Sequence, residues 1–265
     1  MTLCVALEAR RGRTPCVLIG HDWKGGSDLA AAETQHKVLW GANNTPILIA
    51  GHLSKANELA SLVHEQLESS TDDLHTFDRL KEAVRLRKRS MAAEYIAAHY
   101  GMTYQEFLVS AKTALPESAH KAAIEDIRRM TLDCALIVVT RWEGDNALFR
   151  ITETGEVELC AQFCAIGDGM YGAESLLAYR AHSDRTQLGK SMYHIYEAWD
   201  FGGVAPSVGK KYFSVGIATW RRGKYEIEEM TEAGKQELSE QTFNFGLGKL
   251  PNVPVPKHFL RKREI

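Results

Sequence analysis

Residues 2–22 read TLCVALEARRGRTPCVLIGHD, in which two apolar runs flank a polar turn. Short apolar runs on either side of a turn are typical of an antiparallel β-hairpin. The pattern predicts a first strand over 3–8, a turn over 10–14, and a second strand over 16–20 that leads to His21 and Asp22. The second strand of this hairpin is therefore expected to end in an acidic residue.

The rest of the chain is predicted to alternate between groups of strands and groups of helices. Apolar runs between turn residues predict strands at 36–40, 46–50, 132–142, 148–152, 157–166, 213–221 and 225–230. Apolar residues at helical spacing predict a helix capped by Ser54 that extends to 67 and a second helix over 77–100. A capping box at Thr103 and Glu106 predicts the start of the next helix, and Pro116 begins one that extends to 130. Later helices are predicted over 171–181, over 185–199 and from Thr231. Grouped elements argue against a parallel βαβ sheet. The predicted class is α+β, with two antiparallel sheets covered by helices.

Composition limits the classes of function. The 265 residues are 45% hydrophobic and 25% charged, as in an ordinary globular protein. A formal net charge of −2 provides no general attraction to nucleic acid or to an anionic membrane, so neither is expected as a partner. No window approaches the roughly 20 apolar residues of a membrane helix, and the start lacks a secretory signal. Five cysteines without a CxxC pair indicate reduced thiols, and we predict a soluble, cytoplasmic protein.

Thr2 is the first candidate for chemistry. Removal of Met1 would leave its hydroxyl beside a free α-amine, whose reference pKa is about 7.7–8.0. A neutral amine in that position is a general base for the hydroxyl, which is how N-terminal threonine nucleophiles are activated. A Met-Thr start is a weak signal by itself, because many chains begin this way without any catalytic role.

The spacing of three further residues strengthens this hypothesis. Asp22 ends the second strand, Lys37 follows fifteen residues later, and Gly51 closes the strand ILIAG fourteen residues after that. Taken singly, the first two are typical of a surface ion pair and the glycine of a simple turn. Together with Thr2, they resemble the proteasome β-subunit family of N-terminal-nucleophile hydrolases, as a divergent bacterial homologue. The spacings match that family except for about four extra residues in the first hairpin turn.

The resemblance implies a threonine-type endopeptidase. In this family the threonine attacks the peptide carbonyl, and the lysine, here Lys37, lowers the pKa of its hydroxyl. Asp22 would hold the lysine and balance its charge. The backbone N–H of Gly51 would stabilise the developing oxyanion, which is typically worth about 2.7–4 kcal/mol. No metal and no cofactor are implied.

The second half of the chain matches the family less closely. The segment AIGDG resembles the family's Gly-Ser-Gly turn but carries Asp168 where the family has serine. A carboxylate there would raise the pKa of the α-amine and weaken it as a base. Asp200 and Ser207 correspond to a further acid and serine of the family, but with a longer gap between them.

The same resemblance suggests how substrate binds. Ile49 would floor a pocket for apolar side chains, with Leu53 nearby. The loop KGGS, which contains Lys24 and Gly26, would pair its backbone with an extended peptide as an added strand.

The resemblance also implies an architecture and partners. It predicts a four-layer αββα sandwich as one domain over 1–250, with an enlarged helical insertion over about 68–130 and an extended tail over 251–265. The insertion contains the basic run RLRKR at 85–89, which we interpret as a solvated helix face. Peptides or unfolded proteins are the expected substrates, a homo-oligomeric ring the expected assembly, and an ATP-dependent unfoldase a further expected partner.

Two other functions fit the same residues. Asp168, or a retained Met1, would favour a catalytically silent structural subunit. An N-terminal-threonine amidase or peptide ligase acting on a dedicated substrate is the other alternative, because sites rather than folds set function.

Overall fold

A computed structural model describes residues 3–22, 37–68, 73–205, 208, 213–245 and 260–263. Its strands are β1 (Leu3–Arg11), β2 (Thr14–Asp22), β3 (Val38–Trp40), β4 (Pro46–Gly51), β5 (Cys134–Trp142), β6 (Asp145–Ile151), β7 (Val157–Cys160), β8 (Phe163–Gly167), β9 (Phe213–Arg221), β10 (Lys224–Met230) and β11 (Leu260–Lys262). Its helices are α1 (Leu53–Glu68), α2 (Thr76–Tyr100), α3 (Tyr104–Ala114), α4 (Glu117–Arg129), α5 (Met170–Tyr179), α6 (Leu188–Gly202) and α7 (Glu232–Phe245).

The strands form two antiparallel sheets, as the grouping of elements predicts. One sheet has six strands in the order β11-β10-β9-β2-β1-β8, and the other has five in the order β3-β4-β5-β6-β7. The predicted hairpin is the β1–β2 pair, with Cys4 opposite His21 and Arg11 opposite Thr14. This register brings the first described residue of β1 to the end of β2.

Alternation along β1 explains how the sheets pack. Leu3 and Val5 belong to an apolar cluster with α5 and α6. Cys4 and Ala6 belong to a second cluster, which contains residues of both sheets such as Leu48. Successive side chains of a strand point to opposite faces, so a strand with both faces buried is a continuous apolar run. A third cluster joins the five-stranded sheet to α1 and α2.

Two sequence predictions of secondary structure are wrong. The run 157–166 is not one strand, because β7 ends in the five-stranded sheet and β8 begins in the six-stranded sheet. An uninterrupted apolar pattern does not reveal that the chain crosses between sheets. Ser54 is not a cap, since α1 begins at Leu53 and the Ser54 hydroxyl lies 3.0 Å from His52 Nδ1. Within the predicted extended tail, Leu260–Lys262 form β11, which pairs with β10.

The helical region between the two strand groups has a small apolar core of its own. Ile96 of α2, Phe107 and Ala111 of α3, and Ala123 of α4 form that cluster. The predicted capping box is confirmed, with the Thr103 side chain accepting from the Glu106 N–H. None of the described helices combines the length and apolarity needed to cross a membrane.

Two buried histidines, His182 between α5 and α6 and His194 in α6, connect this helical layer to β1. His182 Nε2 lies 2.7 Å from the Glu8 carbonyl oxygen, and His182 Nδ1 lies 2.9 Å from His194 Nδ1. A carbonyl accepts, so His182 Nε2 donates and the Nδ1 of neutral His182 accepts from His194. His194 Nε2 is then an unprotonated nitrogen, buried without a hydrogen-bond partner in the described part of the chain. Burial lowers the pKa of both imidazoles, that of His194 to about 3.

Acidification is therefore expected to destabilise the fold through this pair. Both pKa values are lower in the folded state, so the unfolded chain takes up protons first. Stability falls as pH drops below about 6.5, by up to about 1.4 kcal/mol per pH unit for each histidine. Urea denaturation at about pH 7 and pH 5.5 measures the loss. His194→Leu is expected to reduce the pH dependence, whereas replacement of the exposed His99 with glutamine should not change it. An unchanged pH dependence in His194→Leu would contradict this assignment.

Candidate active site

Asp22 is the centre of the candidate site. It is the last residue of β2, and its side chain has no exposed surface. One carboxylate oxygen, Oδ1, accepts a hydrogen bond from the Leu3 N–H at 3.1 Å and another from Lys37 Nζ at 3.0 Å. Buried carboxylates are stable only when they are paired and hydrogen-bonded. This carboxylate therefore fixes a cation beside the start of β1.

Lys37 links the two sheets at this point through its ion pair with Asp22. It precedes β3, is 7% exposed, and accepts a hydrogen bond at its carbonyl oxygen from the Ile49 N–H at 2.9 Å. A second link runs from Cys4 Sγ to the Ile49 carbonyl oxygen at 3.4 Å. The first residues of β1, the end of β2 and the middle of β4 thus meet at one end of the sheets.

Gly51 ends β4 two residues after Ile49 and adopts a backbone conformation that favours glycine. Its φ is 92°, and a Cβ atom built there would lie 2.5 Å from the Asp133 carbonyl oxygen. The same oxygen accepts from the His52 N–H at 2.8 Å. The Asp133 side chain is paired with the Lys55 ammonium, whose hydrogen bond lowers the pKa of the Asp133 carboxyl. The junction between β4 and α1 is therefore braced from the start of β5.

Sequence reasoning did not identify Asp133 and Lys55 as part of this site. Asp133 precedes the apolar run of β5 and has a positive φ of 52°, which a sequence pattern does not indicate. Lys55 follows Gly51 by four residues in α1 and has no distinctive neighbours in the sequence. Only the pairing of β4 with β5, which sets Gly51 opposite Cys134, brings them together.

The turn after β8 and the end of α6 approach the same place. Gly167 lies opposite Leu3 in the β1–β8 pairing, and Asp168 is the next residue, exposed in the turn. A Cβ atom at Gly202 would lie 2.6 Å from a methyl carbon of Leu3, so this end of α6 packs closely on β1. Asp200, two residues before Gly202, is exposed. Both acids therefore belong to elements that contact the start of β1.

Ile49 and Leu53, the two residues predicted to form the substrate pocket, differ in solvent exposure. Ile49 is 3% exposed and belongs to the apolar cluster between its sheet and the helices α1 and α2. Leu53, the first residue of α1, is 37% exposed. Their roles stay predictions. Four predicted site residues lie outside the described residues: Thr2, Lys24, Gly26 and Ser207.

The structure thus brings Asp22 and Lys37 into contact beside Leu3. Gly51 lies two residues after Ile49, whose backbone is hydrogen-bonded to both Lys37 and Cys4. A buried ammonium held by a carboxylate supplies a fixed positive charge. In a site with little water, such a charge stabilises a nearby alkoxide or oxyanion more strongly than it would in solution.

Comparison with known proteins supports the fold. No family model matches the chain, and no curated protein matches its sequence. Among solved structures, the chain is similar to a Gly-1 mutant of Anbu, a bacterial proteasome-like protein, from Hyphomicrobium sp. strain MC1. The similarity has a TM-score of 0.56 at 15% identity and covers 92% of this chain and 98% of that one. At this identity the comparison shows a divergent bacterial proteasome-related fold.

Proposed function

We propose that this chain is a threonine-type endopeptidase that uses Thr2 as its nucleophile after removal of Met1. One observation carries the proposal: a single oxygen of Asp22 holds both the Leu3 N–H and the Lys37 ammonium. The two nitrogens lie 3.1 and 3.0 Å from that oxygen, so they are no more than about 6 Å apart. The residue bonded to the Leu3 nitrogen is Thr2.

Covalent geometry makes this proximity useful. Standard bond lengths keep the hydroxyl of a residue within about 5 Å of the nitrogen of the next residue. In the proposed mechanism, the free α-amine of Thr2 takes the hydroxyl proton as general base. The Lys37 ammonium stabilises the alkoxide as it forms, and Asp22 keeps the ammonium in place.

The remaining steps follow from acyl transfer. The alkoxide attacks the peptide carbonyl and forms a tetrahedral intermediate, which collapses to an ester as the amine product leaves with a proton. Water then hydrolyses the ester and regenerates the threonine. We propose the Gly51 N–H as an oxyanion donor, with Asp133 and Lys55 as positioning residues that hold the backbone around it. A donor of this kind typically contributes about 2.7–4 kcal/mol to transition-state stabilisation.

At the level of the whole molecule, we propose the αββα sandwich of N-terminal-nucleophile hydrolases. The three apolar clusters support it, because they place helices on the outer face of each sheet and an apolar interface between the sheets. A homo-oligomeric ring, peptide or unfolded-protein substrates, a cytoplasmic location and an unfoldase partner belong to the same proposal.

Thr2→Ala is expected to abolish peptide hydrolysis, because alanine has no hydroxyl to attack the carbonyl. Fluorogenic peptides measure the turnover, and urea denaturation checks that the variant is folded. Thr2→Ser should keep measurable activity, and Thr113→Ala, an exposed threonine of α3, should match the parent chain. A threonine-directed covalent inhibitor should add its mass to the N-terminal peptide of the parent chain alone. Unchanged turnover in Thr2→Ala would rule out the proposal.

A catalytically silent structural subunit is the second candidate, and Asp168 favours it. Asp168 directly follows Gly167, which pairs with Leu3. Its negative charge therefore lies in the turn after β8, next to the start of β1. A carboxylate near the α-amine would hold the amine in its protonated form and weaken it as a base. Intact-mass measurement shows whether Met1 is retained. A retained Met1 would block the Thr2 nucleophile and favour the structural subunit. When Met1 is absent, Asp168→Ser should raise turnover only if the carboxylate is inhibitory.

A further inference from the structure

A second feature lies in the helical region, outside the candidate active site. Helices α2, α3 and α4 border an open groove of about 640 Å³, which we call the α2–α4 groove. The cations that line it are Arg85, Lys88, Arg89 and Arg128. Its apolar surface includes Tyr104, Leu108 and Ile127. Among the residues that the structure describes, no acidic side chain lines it.

The spacing of the basic run explains how the groove becomes positive. Residues 85, 88 and 89 are separated by three and four positions, so they share one face of α2. Arg87, in the same run, faces elsewhere: it is 6% exposed and pairs with Glu58 at 2.8 Å. From the sequence, the whole run is interpreted as a solvated helix face. The structure differs, because Arg87 is buried.

Three of the four cations have no carboxylate partner among the described residues. Arg85 is paired with Glu82 beside the groove, and Lys88 Nζ donates to the Thr154 carbonyl oxygen at 2.5 Å. Within the described ranges, no acidic side chain lies within ion-pair distance of Arg89 or Arg128, and both are exposed. The formal net charge of the whole chain is −2, so this positive surface is a local feature.

The apolar surface of the groove restricts the kind of ligand. Leu108 is 61% exposed between the cations, although a leucine on a helix normally packs against a neighbour. A ligand that satisfies both parts must carry carboxylates for the guanidinium groups and apolar side chains for Leu108 and Tyr104. Guanidinium groups bind carboxylates in a bidentate manner, and grooves between helices accept amphipathic helices.

We propose that the α2–α4 groove docks an acidic amphipathic segment of a partner polypeptide. Carboxylates of that segment pair with Arg89 and Arg128, and its apolar side chains cover Leu108. The phosphates of a nucleic acid would pair with the positive charges, but they would leave the apolar surface of the groove without a matching partner. This inference does not depend on the chemistry at Thr2.

Fluorescence anisotropy tests the proposal with the full chain and a labelled helical peptide of about four turns, with Glu and Leu at helical spacing. The peptide should bind in about 0.15 M salt, where exposed charges are largely screened beyond about 8 Å. The double variant Arg89→Glu/Arg128→Glu should weaken binding at least tenfold. Lys121→Glu/Arg129→Glu makes the same charge change on α4 outside the groove and should bind normally. Leu108→Ser should weaken binding with all charges retained, and urea denaturation should show every variant to be folded.

The competing occupants are outcomes that would overturn the proposal. One is equal binding of a Glu/Ser peptide without leucines, which would indicate a general anion surface. Tighter binding of a single-stranded RNA of similar length is another. A change of oligomeric state in Arg89→Glu/Arg128→Glu, without peptide binding by the parent chain, would mark a subunit contact. The variant Thr2→Ala should bind the peptide normally, so failure of the proposed peptidase activity and failure of docking can be distinguished.

Discussion

Replacement of Lys37 with methionine is expected to lower kcat/KM for peptide hydrolysis by about 10²–10³-fold. Methionine keeps much of the length of the side chain but removes the ammonium that lies 3.0 Å from Asp22 Oδ1. The alkoxide of Thr2 then loses the charge proposed to stabilise it. Asp22, fully buried, also loses a cation, and loss of one partner of a buried ion pair typically costs about 3–5 kcal/mol.

A second variant separates these two effects. In Lys37→Met/Asp22→Asn, the buried group is a neutral amide whose oxygen can still accept from the Leu3 N–H. We expect urea denaturation to show that most of the stability returns, while kcat/KM stays low. Lys121→Met, which removes an exposed lysine paired with Glu117, is the matched control and should change neither quantity appreciably. A folded Lys37→Met variant with full activity would remove Lys37 from the mechanism.

Replacement of Arg180 with methionine is expected to lower the free energy of unfolding by about 3–5 kcal/mol. Arg180 follows α5 and makes two hydrogen bonds, of 2.9 and 2.7 Å, with the two carboxylate oxygens of Glu197 in α6. Glu197 is 2% exposed, so loss of the guanidinium leaves a buried carboxylate without its cation. Burial raises the pKa of Glu197, and the contact with Arg180 opposes that rise. The destabilisation should therefore lessen at acidic pH relative to the parent chain.

The double variant Arg180→Met/Glu197→Leu tests the pairing. It replaces both charges with apolar groups and should be markedly more stable than Arg180→Met, because a buried pair and apolar side chains of similar volume contribute comparably. Arg129→Met, which removes an exposed arginine paired with Glu125, should cost under about 1 kcal/mol. If the effects of Arg180→Met and Glu197→Leu simply add, the two side chains are not coupled.

Features of the fold that depend on local patterns were predictable. The hairpin of 3–8 and 16–20 became β1 and β2, each longer than predicted because ladder pairing carries the strands toward the turn and up to Asp22. Helix α2 begins one residue before its predicted start and ends at the predicted Tyr100, where Gly101 adopts a left-handed conformation with φ of 62°. Periodicity and capping chemistry act over a few neighbouring residues, so the sequence contains them directly.

Features that join distant segments were not predictable from such patterns. The chain crosses between the sheets after Cys160, and β11 adds to the edge of β10 from a tail that reads as extended. Asp133 reaches Gly51 through a strand pairing that spans about eighty residues of sequence. Apolar runs look alike whichever sheet they enter, and the choice depends on how whole faces pack.

The amino-acid sequence by itself determined the two-sheet class, the hairpin that opens it, and the positions of Asp22 and Gly51 at the ends of their strands. The tertiary structure alone decided that one oxygen of Asp22 serves both Leu3 and Lys37, and that the basic run divides between Arg87 in the interior and its neighbours in the α2–α4 groove. The physical reason is the range of the interactions. Strand and helix patterns arise between near neighbours, whereas a buried charge finds its partner only when separate elements pack together.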